Sequence, residues 1–392
     1  MKHLYVHIPF CRSRCAYCDF FSEPVGPHIR ADRVAPYLEA LRTELADRGQ
    51  FETIYLGGGT PTVVPADALV DLVADLAARL TRAPEPGGAG PRPRASETGA
   101  ARPAPEFTVE ANPGTIDALL LERLSDAGVT RLSLGVQSFS PALRAALGRR
   151  VSQQEIEDAL AAIAAAGRQE WNLDLVFGIP GQTWESAAAD LEAAVAAGPT
   201  HISLYDLTYS PAYAVRVGAD AREAAGLFAE RHYADAVARL QAAGYRRYEV
   251  SNFALPGHEC RHNQAYWRGE DYLGIGASAV STVSMDEPGA GGPACAERRV
   301  NLRSVAGYLA GDPPEIEVIM PRTRLWEKAM LGLRTSEGVD EEEVRPVVDE
   351  EARDRLLRQG CLQRHCGKLR LNPGFLDISN TVIGALLAPP ED

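Results

Sequence analysis

Positive charge runs short of negative in this chain: 40 Lys and Arg stand against 53 Asp and Glu, for a net charge of −13. A surface of that sign repels phosphate, which excludes a general nucleic-acid binder and a protein held on anionic lipid. No apolar run approaches the roughly 20 residues of a membrane-spanning helix, so stable membrane insertion is not expected. The opening Met1-Lys2-His3-Leu4-Tyr5-Val6-His7 has no apolar core of a secretion signal, and His7 and Pro9 interrupt it at once. Cysteines are few, seven in all, and their number is odd. A disulfide framework is therefore not the organising device, and a reducing, cytoplasmic setting is expected. A Walker loop is missing too, because Gly57-Gly58-Gly59-Thr60-Pro61-Thr62 is not followed by Gly-Lys-Ser/Thr.

What the chain does have is a cluster of three cysteines near its start: Cys11, Cys15 and Cys18, spaced C-x3-C-x2-C. Three thiolates on one short loop suit three corners of a cubane iron–sulfur cluster. Such a cluster usually takes four cysteines, so here one iron would stay open for a small ligand. Zinc is the competing metal, but it favours paired C-x-x-C knuckles, and no second knuckle follows. Cysteines unrelated to any metal are the third reading. Cys361 and Cys366, with His365 between, suggest a second metal, yet no fourth ligand is evident.

The 392 residues, 45% of them apolar, are enough for a large core and more than one folded unit. Short apolar or β-branched runs at 4–8, 53–56, 107–110, 131–134, 172–177 and 201–207 read as strands. Helical patterns lie between them at 36–48, 66–80, 116–127, 154–166 and 186–197, with another at 221–243. Six βα units predict a parallel α/β sheet, too few for a closed eight-stranded barrel. The expected fold is a partial (β/α)6 barrel over 1–255. A flanking segment over 256–312 and a small, mainly helical, winged-helix-like domain over 313–392 would follow. Two stretches rich in Pro and Gly, 82–105 and 286–296, read as loops, the first of them disordered.

In such a barrel, chemistry sits at the C-terminal ends of the strands. Gly57 to Thr62 follow the second strand, where glycines let backbone amides approach a ligand; a plain tight turn is the other reading. Glu110, Gln137 and Asp174 end the next three strands. Singly each would be an ordinary loop or capping residue, but together they offer acceptors to a cationic ligand with ribose hydroxyls. Arg149 can meet a carboxylate or be an exposed arginine. Farther on, Cys260-Arg261-His262-Asn263-Gln264-Ala265-Tyr266-Trp267 puts an imidazole beside two aromatic rings. Heme iron takes such an imidazole or a thiolate like Cys260, and apolar walls cover the macrocycle; a buried, hydrogen-bonded histidine is the alternative.

The cysteine spacing is similar to the signature of the radical S-adenosylmethionine superfamily. The chain more closely resembles the family of oxygen-independent coproporphyrinogen III oxidases and their heme chaperone paralogues. The segments that carry the resemblance are Tyr5-Val6-His7-Ile8-Pro9-Phe10-Cys11, Gly57 to Thr62, Leu134-Gly135-Val136-Gln137-Ser138-Phe139 and the Asp174 to Gln182 stretch. It implies a [4Fe–4S] cluster on Cys11, Cys15 and Cys18. It also implies S-adenosylmethionine contacts from Tyr5, Tyr17, Gly59, Thr60, Glu110, Gln137, Arg149 and Asp174. The open iron would hold the cosubstrate's amino and carboxylate groups, and an electron from the cluster would cleave a carbon–sulfur bond to give an adenosyl radical.

Within the family, the oxidase branch resembles C-x3-C-x2-C-x-C with a longer N-terminal segment. Here Phe20 stands at the last cysteine and ten residues precede Cys11. The chaperone branch resembles the Cys260 to Trp267 segment. Gly332 to Val339 resembles a region shared by both. Three segments depart from the family pattern: Val151, Ser210 to Tyr213 and Ser278 to Ser281. The expected function is that of a heme chaperone, with heme at His262 or Cys260, a heme-acceptor protein and an electron donor. Oxidative decarboxylation of coproporphyrinogen III is the alternative, and a radical enzyme acting on another small molecule is the third reading. Whether the radical site turns over is left open.

Overall fold

Six strands share one pattern, apolar at every second position and largely polar between. They are β1 (His3–Ile8), β2 (Thr53–Gly58), β3 (Glu106–Ala111), β4 (Arg131–Gln137), β5 (Trp171–Phe177) and β6 (His201–Asp206). The computed structural model describes residues 2–26, 29–46, 48–81, 105–167, 170–285 and 295–388. Leu4, Val6, Ile8, Ile54, Leu56, Phe107 and Val109 lie in one buried cluster, and Leu132, Leu134, Leu173, Leu175, Ile202 and Leu204 in a second. Both clusters take in the apolar stripes of the intervening helices: α1 (Ala31–Leu45), α2 (Ala66–Ala77), α3 (Ala118–Asp126), α4 (Gln153–Ala165), α5 (Trp184–Ala197) and α6 (Ala219–Ala242). The intervening row, with His3, Tyr5, His7, Thr53, Tyr55, Glu110, Asn172, Asp174 and His201, faces the opposite side. Side chains of a strand alternate faces, so a slip of one residue would turn this polar row onto the helices. Burying each Leu, Ile or Val stabilises by about 1.5–3 kcal/mol, which fixes the register.

The six strands are parallel and adjacent in chain order, as expected for a partial (β/α)6 barrel. The sheet is also wider than the sequence suggested. β7 (Tyr272–Ile275) pairs parallel to the outer edge of β1, and β8 (Val280–Ser284), β9 (Ala296–Val300) and β10 (Glu315–Ile319) follow antiparallel. At the other edge, Asn252–Ala254 pairs antiparallel with β6. Among the described residues the two outermost strands of this sheet do not pair with each other, so it stays open. The sheet runs past the change of pattern at 313. The two expected loops fall almost wholly on 82–104 and 286–294, outside the described residues.

Helix starts followed the capping chemistry. Ser152 and Glu155 form a capping box ahead of α4, and Asp117 caps α3. The first helix begins at Ala31, five residues before the expected start at Pro36. Proline's missing N–H leaves the carbonyl of Asp32 without its helical partner, and Asp32 is exposed, so water can satisfy it. After β10 come α8 (Pro321–Gly332), α9 (Glu350–Arg358) and α10 (Ser379–Leu386). They enclose an apolar cluster with a small three-stranded sheet of Val339–Asp340, Lys368–Leu371 and Leu362–His365. Between α8 and α9 a single helical turn at Glu341–Val344 tightens to a 3₁₀ turn, because Pro346 cannot continue the backbone ladder.

Candidate functional site

The cysteine loop leaves β1 and is tied down at several points. Ala16 N donates to Leu147 O at 3.1 Å, and Val25 N to Cys11 O at 2.8 Å. Tyr17 packs with Leu143, Leu147, Val176 and Tyr213. The loop rests on the Gly-Gly-Gly-Thr turn after β2. Gly59 N donates to Ile8 O and Thr60 N to Phe10 O, both at 2.8 Å. A Cβ on Gly59 would meet Phe10 O at 2.6 Å and Ile8 O at 2.9 Å, so only glycine permits this contact. Gly58 N donates to Glu110 Oε2 at 3.0 Å. The amides expected to approach a ligand are therefore spent on Ile8, Phe10 and Glu110, and the turn buttresses the cysteine loop.

Around the thiols, Cys11 Sγ pairs with Thr60 Oγ1 at 3.6 Å, and Asn112 Nδ2 donates to the same Thr60 oxygen at 2.6 Å. Arg149 Nη1 donates to Cys15 Sγ at 3.7 Å. Arg149 Nη2 donates to Asn112 Oδ1 at 2.5 Å and also to Gly135 O. Its buried Nε has no partner in the described structure. Burial pushes the Cys18 thiol up to about 11, and the nearby Cys15 and Cys11 thiols push it the same way. Ionising these thiols together thus calls for a positive partner larger than one guanidinium. Among the described residues no three His, Cys, Asp or Glu side chains converge as a single metal ion needs. A cubane places each thiolate on a different iron, which suits one loop carrying three thiols better than zinc does. A small cavity of about 60 Å³ opens beside Cys15, lined by Thr60, Asn112 and Arg149 among others.

On the polar face, Tyr55 OH donates to Glu110 Oε1 at 2.8 Å, and Asn172 Nδ2 donates to Asp174 Oδ1 at 2.7 Å. Burial raises the Glu110 carboxyl to about 7 and the Asp174 carboxyl to about 6. His7 and His262 are pushed down to about 4 and about 3, chiefly by burial. The two carboxyls gain nothing from these neutral imidazoles, which is the environment a cationic ligand would improve. Gln137 ends β4 with φ 74, beside a register shift at Gly135 and Gln137. A non-glycine residue in the left-handed region costs about 1 kcal/mol or more and collects at functional sites.

The larger opening, about 400 Å³, lies on this same face. Tyr5, Tyr55, Glu110, His262 and Tyr266 line it, and Phe20, exposed on the cysteine loop, stands at its rim. His262 enters on α7 (Arg261–Trp267), whose first amides are capped by Glu106: Arg261 N to Oε2 at 3.0 Å and His262 N to Oε1 at 2.9 Å. His262 is 1% exposed and stacks on Tyr55 at 5.2 Å. Both ring nitrogens are hydrogen-bonded, Nδ1 to Thr53 Oγ1 and Nε2 to Tyr266 OH. Cys260 lies away from the cavity lining, its buried Sγ donating to Glu106 Oε1 at 3.5 Å. Burial pushes its thiol up to about 12, so it is not poised as a thiolate. Cys361 packs on the C-terminal apolar cluster, Cys366 is exposed on a turn five residues later, and neither joins a metal group among the described residues.

The structure divides part of the sequence candidates between these two openings, while Cys11, Cys18, Tyr17, Gly59, Gln137, Asp174 and Cys260 line neither. Cys15, Thr60 and Arg149 line one; Tyr5, Glu110 and His262 line the other. Sequence reasoning missed His3, Thr53, Tyr55, Glu106 and Asn112. The signal was available in the polar alternation His3-x-Tyr5-x-His7, Thr53-x-Tyr55 and Glu106-x-Thr108-x-Glu110.

Residues 5–194 match the family model of the radical SAM superfamily. A protein of Synechocystis sp. named heme chaperone HemW is 36% identical over 356 residues, covering 86% of this chain and 78% of its own. Heme chaperone HemW of Escherichia coli is 34% identical over 370 residues, covering 88% and 89%, and that of Bacillus subtilis is 32% identical over 354 residues, covering 86% and 85%. Among solved structures, coproporphyrinogen III oxidase (HemN) from Escherichia coli, a radical SAM enzyme, shares the fold with a TM-score of 0.72. It is 21% identical and the match covers 98% of this chain and 89% of that one. With relatives this similar across most of its length, the chain belongs to the HemW family of the radical SAM superfamily.

Proposed function

We propose that this protein binds heme in the 400 Å³ cavity and passes it to an acceptor protein, working in a reducing cytoplasm. The observation that carries the reading is the shared opening: His262 and Tyr266 line the same cavity as Glu110, with Phe20 of the cysteine loop at its rim. Cys11, Cys15 and Cys18 would hold a [4Fe–4S] cluster, which when bound supplies one electron and an open iron. Glu110 and Asp174 would accept hydrogen bonds from S-adenosylmethionine and neutralise its positive charge. Arg149, with its buried Nε unpartnered, keeps a donor for a carboxylate. Imidazole from His262 can reach iron once Tyr266 releases its Nε2. All seven thiols are free among the described side chains, which supports a reducing compartment.

The thiol trio and the two raised carboxyls also support a second reading, oxidative decarboxylation of coproporphyrinogen III. One sample separates the two. Anaerobically reconstituted protein is titrated with heme and then supplied with coproporphyrinogen III, reductant and S-adenosylmethionine. The chaperone reading expects a saturable Soret band that His262→Ala shifts or abolishes, and no turnover. Efficient turnover, with heme binding indifferent to His262, would put the decarboxylase first.

A further inference from the structure

Behind His262 runs a hydrogen-bond chain that ends at the protein surface. His262 Nδ1 meets Thr53 Oγ1 at 2.8 Å, and the same oxygen meets His3 Nδ1 at 2.8 Å. His3 Nε2 meets Glu270 Oε2 at 3.1 Å. On the cavity side, His262 Nε2 meets Tyr266 OH at 3.2 Å. His3, Thr53 and His262 are buried, while Glu270 is part-exposed, with Arg268 Nη1 at 3.8 Å from its other oxygen.

The chain has a direction, set by its outer end. An ionised carboxylate only accepts. The His3 hydrogen bond holds Glu270 below the usual carboxyl range, which keeps it ionised. His3 Nε2–H therefore donates to Glu270, and with its one ring proton used there the other nitrogen, Nδ1, accepts. The hydroxyl of Thr53 has one proton and gives it to His3 Nδ1. Its oxygen is then left to accept from His262, whose proton sits on Nδ1. His262 Nε2 carries the lone pair, and Tyr266 O–H donates to it.

We propose that Glu270, His3 and Thr53 are positioning residues that fix the proton of His262 on Nδ1, so that an unprotonated Nε2 faces the cavity beneath a displaceable Tyr266 hydroxyl. Rotating one phenol then exposes a metal-ready lone pair, with no proton to remove first. Donating its Nδ1–H to the Thr53 oxygen also raises the basicity of Nε2, as outer acceptors of metal-bound histidines do. The use of that lone pair for heme iron rests on the chaperone reading; the tautomer itself does not.

The test uses the full chain with ¹⁵N-labelled histidine and no ligand. Eight histidines keep a long-range ¹H–¹⁵N spectrum tractable, and His262→Gln assigns the resonance. The expected result is an Nδ1-protonated His262 and an Nε2-protonated His3. Thr53→Val keeps the side-chain shape but lacks the hydroxyl, and should move His262 toward the Nε2-protonated form or a mixture; Thr53→Ser should restore it. Glu270→Ala, at the surface, provides the same test should Thr53→Val fold poorly. An Nε2-protonated His262 in the unmodified protein, or one unaffected by both substitutions, overturns the proposal. Heme titration of the same variants gives the second arm. Thr53→Val should weaken binding by about 10-fold or more, the range for losing a metal ligand's outer partner, with recovery in Thr53→Ser. Heme binding unchanged by His262→Ala would sink the heme reading while leaving the tautomer result to stand by itself.

Discussion

Glu110 should make the ligand-free protein less stable as the pH rises. Its carboxyl is raised from about 4.5 to about 7, with burial the main cause and Asp174 adding repulsion. The folded state then holds a proton that the unfolded state has released between those two values. The stabilisation is complete below about 4.5 and is lost as the pH climbs through about 7. One pKa unit is worth about 1.4 kcal/mol, so the full effect is at most about 3 kcal/mol. Glu110 lines a cavity open to solvent, which brings the expected value to about 1–3 kcal/mol. Glu110→Gln imitates the protonated acid, keeping an oxygen for the Gly58 amide and an N–H that can donate to the Tyr55 hydroxyl oxygen. The variant should match the unmodified protein near pH 5 and exceed its Tm at pH 8 by about 1–4 °C for a chain of this size. Parallel melting curves from pH 5 to 8, read by circular dichroism on cluster-free protein, measure the difference. A Gln variant no more stable at pH 8, or an equal pH dependence in both proteins, would refute the argument.

Alanine at Cys11, Cys15 or Cys18 should abolish the brown chromophore of anaerobic reconstitution, whereas Cys361→Ala and Cys366→Ala should keep the full iron content by colorimetric assay. Gly59→Ala should lower both Tm and iron content, because its methyl would press on Phe10 O at 2.6 Å and displace the cysteine loop. With the cluster reconstituted, Glu110→Ala should weaken S-adenosylmethionine binding by about 1–3 kcal/mol, measured by calorimetry; unchanged affinity would remove Glu110 from the site.

The sequence by itself determined the repeating unit and its chemistry. Leu4, Val6 and Ile8 alternate with His3, Tyr5 and His7, and that period of two admits one parallel register with the helices on the apolar side. The thiol trio was legible because its three residues lie on one loop, so local spacing carries the information. Glu110, near the end of β3, and Asp174 fell on the polar row of the same alternation, but Asp174 sits in the middle of β5 rather than at its end, and Gln137 closes β4 beyond a register shift. Tertiary structure alone decided which groups meet. Glu106 caps the helix bearing His262 from 156 residues away, and Thr53 joins His3 to His262 across 209. The amides of Gly58, Gly59 and Thr60, legible as a loop, turned out to be spent on Glu110, Ile8 and Phe10, which no local pattern reveals. Cys260 and His262, two residues apart, met opposite fates for the same reason. The turn into α7 buries the thiol against Glu106 and aims the imidazole at the cavity, and only the packing of that helix over β2 sets which side chain faces which way.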